Sequence, residues 1–448
     1  MTDRDGVDPR AGPPDPDPST GGDGEGLSRR AFAKAAVAAG GAAALSACVE
    51  RLRPDEPIPD GDGADAHPTG QHEWNGFLRT DEAGNHQLPR HHTFLYCSLP
   101  GDGPPGSDAR STVADALDPL DEAFAWGPEG LLHSVGYSPA YFGRYDGSLP
   151  DSVDLPRPEP LAPFETPTFD EQDLLVHLAS DRPDALLSAE EALTGERGSA
   201  NDVEFPDALT DAVTVESRRT GFMEVGRPHE EGDDLAGVPQ PNPIPEDAPL
   251  FMGFVAGLRA NQATESYVTL PDGPFAGGTT KAVSNWRQRL NDWYGEQDPD
   301  QRVTEMFSPG HAAEGLVEGA GQNLGDDSGV DDVLDVVADA KEHGRVGHAQ
   351  KAARANRDDE GNVKLLRRHV ESTDDDEASL HFPALQRGIS DFEEVRRAMN
   401  GTDAAEATPA VRQRVNNGIL EYIFVRRRGY FLVPPRNLRA LPRPDGSA

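Results

Sequence analysis

The sequence predicts an α+β protein made of two halves of similar order, each with an antiparallel sheet. Three observations lead there. Short apolar runs with strand-like alternation recur from Thr93 to Val433, and amphipathic helical stretches fall between them. A Pro- and acid-rich segment, residues 227–249, then divides the body in two.

In the first half, residues 93–98 (TFLYCS) read as a strand. Residues 113–124 read as an amphipathic helix with Val113, Ala116, Leu117 and Leu120 on one face. Residues 131–137 (LLHSVGY) give a second strand, and a Pro-rich excursion at 149–167 leads to a third at 173–180 (DLLVHLAS). A helix at 185–193 and a strand at 212–217 complete the half. The order β-α-β-β-α-β is that of a ferredoxin-like unit. The second half reads as a strand at 278–284, helices at 286–293 and 330–343, a strand at 380–385, a helix at 391–399 and a final strand at 430–433. Two such halves suggest one architecture in tandem, without clear sequence identity between them. The expected division is a tail with an export signal (1–48), a Pro/Gly/Asp linker (49–88), an N-terminal ferredoxin-like domain (89–226), a connector (227–249), a C-terminal domain (250–436) and a disordered tail (437–448).

The chain's 448 residues carry 79 Asp and Glu against 41 Lys and Arg, a formal charge of −38. The lysines are Lys34, Lys281, Lys341, Lys351 and Lys364; nearly all other positive charge is arginine. An acidic surface almost without lysine suits concentrated salt, which screens its self-repulsion, and points to a halophilic source. The same surface repels phosphate backbones, so no nucleic-acid partner is expected.

Near the start, Ser28-Arg29-Arg30-Ala31-Phe32-Ala33-Lys34 precedes the apolar run 35–47, which ends in Leu45-Ser46-Ala47-Cys48. Paired arginines before a short apolar run form a twin-arginine export signal, and the run is too short for a stable span. Its end resembles a lipobox. The expectation is export through the twin-arginine translocase and attachment to the outer face of the cell membrane through lipidated Cys48. Cys97 then has no partner for a disulfide and no companions for a cysteine metal site; its strand context reads as core.

The segment 346–368 (VGHAQKAARANRDDEGNVKLLRR) sets His348 at the start of a helical stretch. A polar turn follows at 357–362, then a short apolar run ending in Arg367-Arg368. With the pieces in order, the sequence resembles the dye-decolourising peroxidase family of haem proteins. The matching stretches are 130–138 (GLLHSVGYS), 173–181 (DLLVHLASD), 253–261 (GFVAGLRAN), 275–279 (FAGGT), His348 with Arg367, and 428–435 (RGYFLVPP). The resemblance implies tandem ferredoxin-like domains of the dimeric α+β barrel type, with haem b in the second. It implies His348 as the iron ligand and Arg367 as the distal catalytic arginine. Gly253, Phe254, Ala256, Gly257 and Gly278 would lie beside the cofactor. Hydrogen peroxide and an organic electron donor would be the substrates, and a homo-oligomer is a possible assembly. A neutral imidazole is a standard haem ligand, and a permanently charged guanidinium suits the charge that develops on peroxide.

The sequence departs from that family at Ala256, where the family's G-F-x-D-G stretch carries its distal acid. Alanine cannot move a proton, a contribution of about 10²–10⁴-fold. Glu265, Asp272 and His311 are candidate substitutes, none assignable by spacing. Three readings therefore follow: an exported haem peroxidase, a haem-binding or haem-handling lipoprotein with decayed activity, and a degenerate structural module. His311 could also lie at a haem edge, and His91-His92 is a weak candidate metal pair. Trp126, Trp286, Trp293, Tyr422 and Tyr430 read either as electron relays or as core.

Overall fold

A computed structural model of the chain describes residues 56–330 and 335–447. The twin arginine and Cys48 lie outside those residues. The first half holds β1 (His91–Ser98), α1 (Ser107–Ala123), β2 (Leu132–Tyr137), β3 (Leu174–Ser180), α2 (Pro183–Leu193) and β4 (Thr214–Phe222). The second holds β5 (Thr279–Gln288), α3 (His348–Ala355), a broken strand β6 (Leu366–Arg367) and β7 (Val370–Ser372), then β8 (Ser379–Gln386), α4 (Ile389–Ala398) and β9 (Ile423–Val433). The first half has the expected β-α-β-β-α-β order, and the second has it too once the broken strand β6–β7, which the sequence reading did not include, is counted.

The two sheets expected from sequence are one sheet, mostly antiparallel, within a mixed α+β fold. In the first half the neighbours run β4-β1-β3-β2, and in the second β7-β8-β5-β9. The halves join at two seams, each a single residue pair: Glu371 opposite Phe222, and Leu432 opposite Tyr137. Because both ends join, the strands close into a ring, which removes the sheet edges that would otherwise stay unpaired. The first seam is tight. A Cβ on Gly221 would stand 2.4 Å from Val370 Cγ2, so only glycine lets β4 approach β7 there. One short strand, Thr168–Phe169, runs parallel to β9.

Alternation along the strands separates inside from outside. Phe94, Tyr96, Leu175, Val283, Val370 and Phe431, drawn from both halves, cluster together. Their sequence neighbours Leu95, Cys97, Leu174 and Val176 instead pack on α1 and α2 with Leu117, Leu120, Leu186 and Leu193. Cys97 is free and buried.

Several boundaries differ from the sequence reading. The helix expected at 286–293 begins only at Leu290, because Trp286–Gln288 continue β5, whose ladder neighbours claim them. The helix expected at 330–343 is described only from Val336 to His343. The linker is not merely a tether. Trp74 is 1% exposed, Gln71 Nε2 donates to Pro434 O at 2.9 Å, and Gly70 bridges to Pro435. The connector 227–249 contains a helix (Arg227–Gly232) and contributes Val238, Ile244 and Ala248 to the core of the second half. The tail expected to be disordered also packs. Leu441 is fully buried, and Arg439 pairs with Asp118 and Asp121 of α1 at 2.7 and 2.6 Å. In each case one or two buried side chains, hidden in Pro- and Gly-rich stretches, find partners far away in sequence. Among the described residues no helix is long and apolar enough to cross a membrane.

Candidate functional site

Between α3 and the second half's sheet lies a largely apolar cavity that opens to solvent. The sheet supplies Trp286, Leu380, Phe382 and Ile423, and the loop 254–258 forms one wall. The helix contributes His348, Ala349, Ala352 and Ala353. Alanine methyls do not span the gap to the sheet, so the space stays open. The helix itself is firmly held. A Cβ on Gly347, its N-cap, would fall 1.7 Å from Phe307 O, which fixes where the helix begins. Lys351, one turn on, is buried and donates from Nζ to Met399 O, Asn417 O and Asn417 Oδ1 at 3.0, 2.8 and 2.6 Å.

His348 is accessible only in part, yet it lines this cavity deep within the protein. Its Nδ1 is sealed from solvent without a hydrogen-bond partner, and no hydrogen bond among the described residues holds Nε2. Burial first, then the charges of Lys351, Arg367 and Arg396, push its pKa down to about 3. The ring is therefore neutral at ordinary pH, the state in which an imidazole binds a metal.

Arg367 reaches the cavity from β6. Its main-chain N–H and Nε donate to Gln262 Oε1 at 3.0 and 3.3 Å, and Nη2 donates to Asn261 O at 2.9 Å. Gln262 Nε2 donates back to the Arg367 carbonyl at 2.9 Å. No carboxylate pairs with this guanidinium among the described residues. Burial lowers its pKa to about 10, which leaves it charged at neutral pH. Arg368 points elsewhere and is committed: Nη2 donates to Glu265 Oε1 at 2.7 Å and to His72 O at 2.8 Å, and the guanidinium sits over Trp74.

Two further residues of the same strand face line the cavity, His369 and Glu371. The His369 ring stacks against Phe382 at 6.1 Å, and Phe382 stacks on Trp286 at 4.5 Å. Both His369 nitrogens are buried without a hydrogen-bond partner. Burial, reinforced by Arg367, pushes its pKa down to about 3. Glu371 accepts from the Phe251 N–H at 2.8 Å and from Gln288 Nε2 at 2.5 Å. Its burial drives the pKa up to about 8, against those two bonds.

The cavity thus brings together His348, Arg367, Phe254, Ala256 and Gly257. Gly253 and Gly278 do not line it. Gly253 turns the chain against Pro245 and Tyr294, and Gly278 packs on the backbone of Val433 and Pro434. The candidate substitutes for the missing acid are also elsewhere. His311 is 2% exposed and has both nitrogens engaged, by Ser308 Oγ and Ser328 O, each at 2.6 Å. Glu265 accepts from the main-chain N–H groups of Trp74 and Asn75 besides Arg368. Asp272 is exposed and lies off the cavity. His92 bonds His177 and Pro89 O, at 3.0 and 2.8 Å. Trp126, Trp293, Tyr422 and Tyr430 are buried in the packing, whereas Trp286 faces the cavity. His369 is not marked in the sequence, because its lack of a partner shows only in three dimensions. The alternation Arg367, His369, Glu371 was the signal available.

At Trp286, His348 and Ile423 the cavity continues into a cleft lined by Arg287, Arg289, Arg396, Arg414 and Arg426. Four of them are paired with carboxylates, Arg396 with Glu165, Arg289 with Asp292, and Arg287 and Arg426 with Glu377. No group of three or more His, Cys, Asp or Glu able to hold a metal ion exists among the described residues. One free imidazole above an apolar slot cannot retain a bare ion. It suits a metal that arrives in its own planar chelate.

Comparison with solved structures shows the same fold. A variant of DypB from Rhodococcus jostii RHA1 in complex with heme aligns with a TM-score of 0.52 at 18% identity, covering 83% of this chain and 98% of that one. A second variant of that protein, also in complex with heme, gives 0.51 at 18% identity, covering 79% and 96%. No curated protein matches the sequence. The model of one family, described as a family of unknown function (DUF7405), matches residues 89–435, and the chain belongs to that family.

Proposed function

We propose that this protein binds haem b in the cavity beneath α3, with His348 as its axial ligand, and reduces hydrogen peroxide at the expense of an organic electron donor. One observation carries the reading. A neutral imidazole opens onto an apolar cavity that also holds the Arg367 guanidinium, and among the described residues the imidazole has no hydrogen bond and the guanidinium no carboxylate partner. The two halves then correspond to tandem ferredoxin-like units, the second adapted to hold the cofactor.

A bound haem b supplies the iron at which peroxide is reduced and through which the donor's electrons pass. The chain's residues do the rest. Arg367, held in position by Gln262 and Asn261, remains cationic and steadies the negative charge that grows on the peroxide oxygens. The walls of Trp286, Phe382 and Ile423 keep water from competing for the site. In the adjoining cleft Arg414, which donates only to main-chain oxygens among the described residues, would be the arginine open to a carboxylate of the cofactor. His348 lacks the second hydrogen bond that usually fixes a metal-bound imidazole, so its orientation rests on packing alone. The proposed location is the outer face of the membrane, by twin-arginine export and lipidation of Cys48.

Ala256 favours a second reading, in which haem is held and turnover is slow. Peroxide-dependent oxidation of an organic dye by the haem-loaded chain separates the two. Turnover that falls at least about 10²-fold in Arg367→Leu, with haem still bound, fits the first reading. Haem held without turnover fits the second. Failure to hold haem contradicts both.

A further inference from the structure

Alanine at position 256 leaves the cavity without the acid that the resemblance would supply, and the three residues considered as substitutes are committed or distant. We propose that His369 is the proton acceptor of this site, a role that rests on the haem reading above.

Three observations support the assignment. First, His369 lines the cavity, is 5% exposed, and has both ring nitrogens buried without a hydrogen bond. Ring nitrogens left without a partner inside a protein are costly. They call for a ligand that supplies a hydrogen to one of them. Second, the position is right. A Cβ built on Gly257 would lie 3.7 Å from His369 Cε1, so the loop that carries Ala256 passes beside the imidazole. The ring therefore occupies ground next to the missing carboxylate. Third, Arg367 and His369 stand two residues apart on one face, both lining the cavity, so one guanidinium and one imidazole address the same small volume.

The other titratable groups of the cavity are less suited. Glu371 has both oxygens engaged by Phe251 and Gln288, and His348 is taken as the ligand. Burial and the charge of Arg367 keep His369 neutral at ordinary pH, hence free to accept.

The step is a proton transfer. A weak acid H–X, hydrogen peroxide or hydrogen cyanide, enters the cavity and its H–X bond breaks. The electron pair stays on X, the proton goes to a nitrogen of His369, and X⁻ is held beside Arg367. No electrons are exchanged with the protein. The imidazolium so formed is the store from which a proton can later be returned.

Cyanide binding reads this step without catalysis, because hydrogen cyanide must lose its proton to bind ferric haem. The experiment takes the full chain, loaded with ferric haem in molar salt, and follows cyanide association by stopped-flow absorbance. His369→Leu and His369→Asn are compared with the wild type, and circular dichroism reports folding. The expected result is a rate lower by about 10²-fold or more in both variants, with the Soret band retained. His369→Asn keeps the polarity of the site and carries the test should the leucine variant not fold. Rates equal to wild type overturn the proposal. So does a wild-type spectrum of six-coordinate, low-spin haem that becomes five-coordinate in the variants, since His369 would then be an iron ligand. A wild type that holds no haem overturns it together with the haem reading. Haem retained with unchanged cyanide rates overturns the role of His369 alone.

Discussion

The two halves share an order of strands and differ in what they insert between the first two. In the first half the interval is residues 99–131, and its helix α1 presses Val113, Leu117 and Leu120, each fully buried, onto the sheet. In the second it is residues 289–365, a longer excursion that ends in α3. There the residues turned to the sheet are His348 and three alanines. One half fills its helix–sheet interface with valine and leucine, and the other lines the same interface with alanine and His348.

The largest expected effect comes from erasing that difference. Ala352→Phe fills the slot from the helix side and should weaken haem binding by about 10²-fold or more, measured by absorbance titration. Overpacking costs of about 1–3 kcal/mol should leave the chain folded. Haem binding unchanged by Ala352→Phe would place the cofactor elsewhere. The mirror experiment is Leu117→Ala, which opens a cavity in the first half. It should lower unfolding free energy by about 2–5 kcal/mol in denaturant titrations while haem is still retained.

A smaller effect is expected at the seam, where Glu371 faces both the cavity and Phe222. Its folded pKa of about 8 lies above the ordinary value of 4.5, so the folded state holds this proton more tightly than the unfolded one. Its contribution is therefore full below about pH 4.5 and is lost as pH rises through about 8. Wild type should lose stability over that window relative to Glu371→Gln, as read by thermal unfolding at a series of pH values. Parallel curves for the two proteins would remove Glu371 as the cause. The smallest effect belongs to the exposed pair Arg259–Asp326, whose side chains are 57% and 42% accessible. Arg259→Ala should change stability by less than about 1 kcal/mol.

What the sequence reveals and conceals follows from range. The strands around 93–98 and 173–180 are continuous apolar runs whose outward and inward residues alternate, so local pattern finds them. His348 and Arg367 were legible through resemblance, and they fall in one cavity. Their neighbour His369 was not, because its importance lies in having no partner, which only three-dimensional surroundings reveal. The tail fails for the opposite reason. Residues 437–448 read as Pro- and Arg-rich disorder, yet Leu441 and Arg439 are held by Tyr137, Asp118 and Asp121, some three hundred positions earlier. Likewise Trp74, a lone aromatic in a polar stretch, gave no period to read, although its burial ties the linker to Glu265 and Arg368.

The most direct test of the central claim is the visible absorption spectrum of residues 50–448 folded in molar salt with added haem, recorded for wild type beside His348→Ala. A Soret band in the wild type that is lost or strongly shifted in His348→Ala is the predicted result. A spectrum of free haem in the wild type, or an identical Soret band in both proteins, would contradict the assignment of His348 and of the cavity it opens onto.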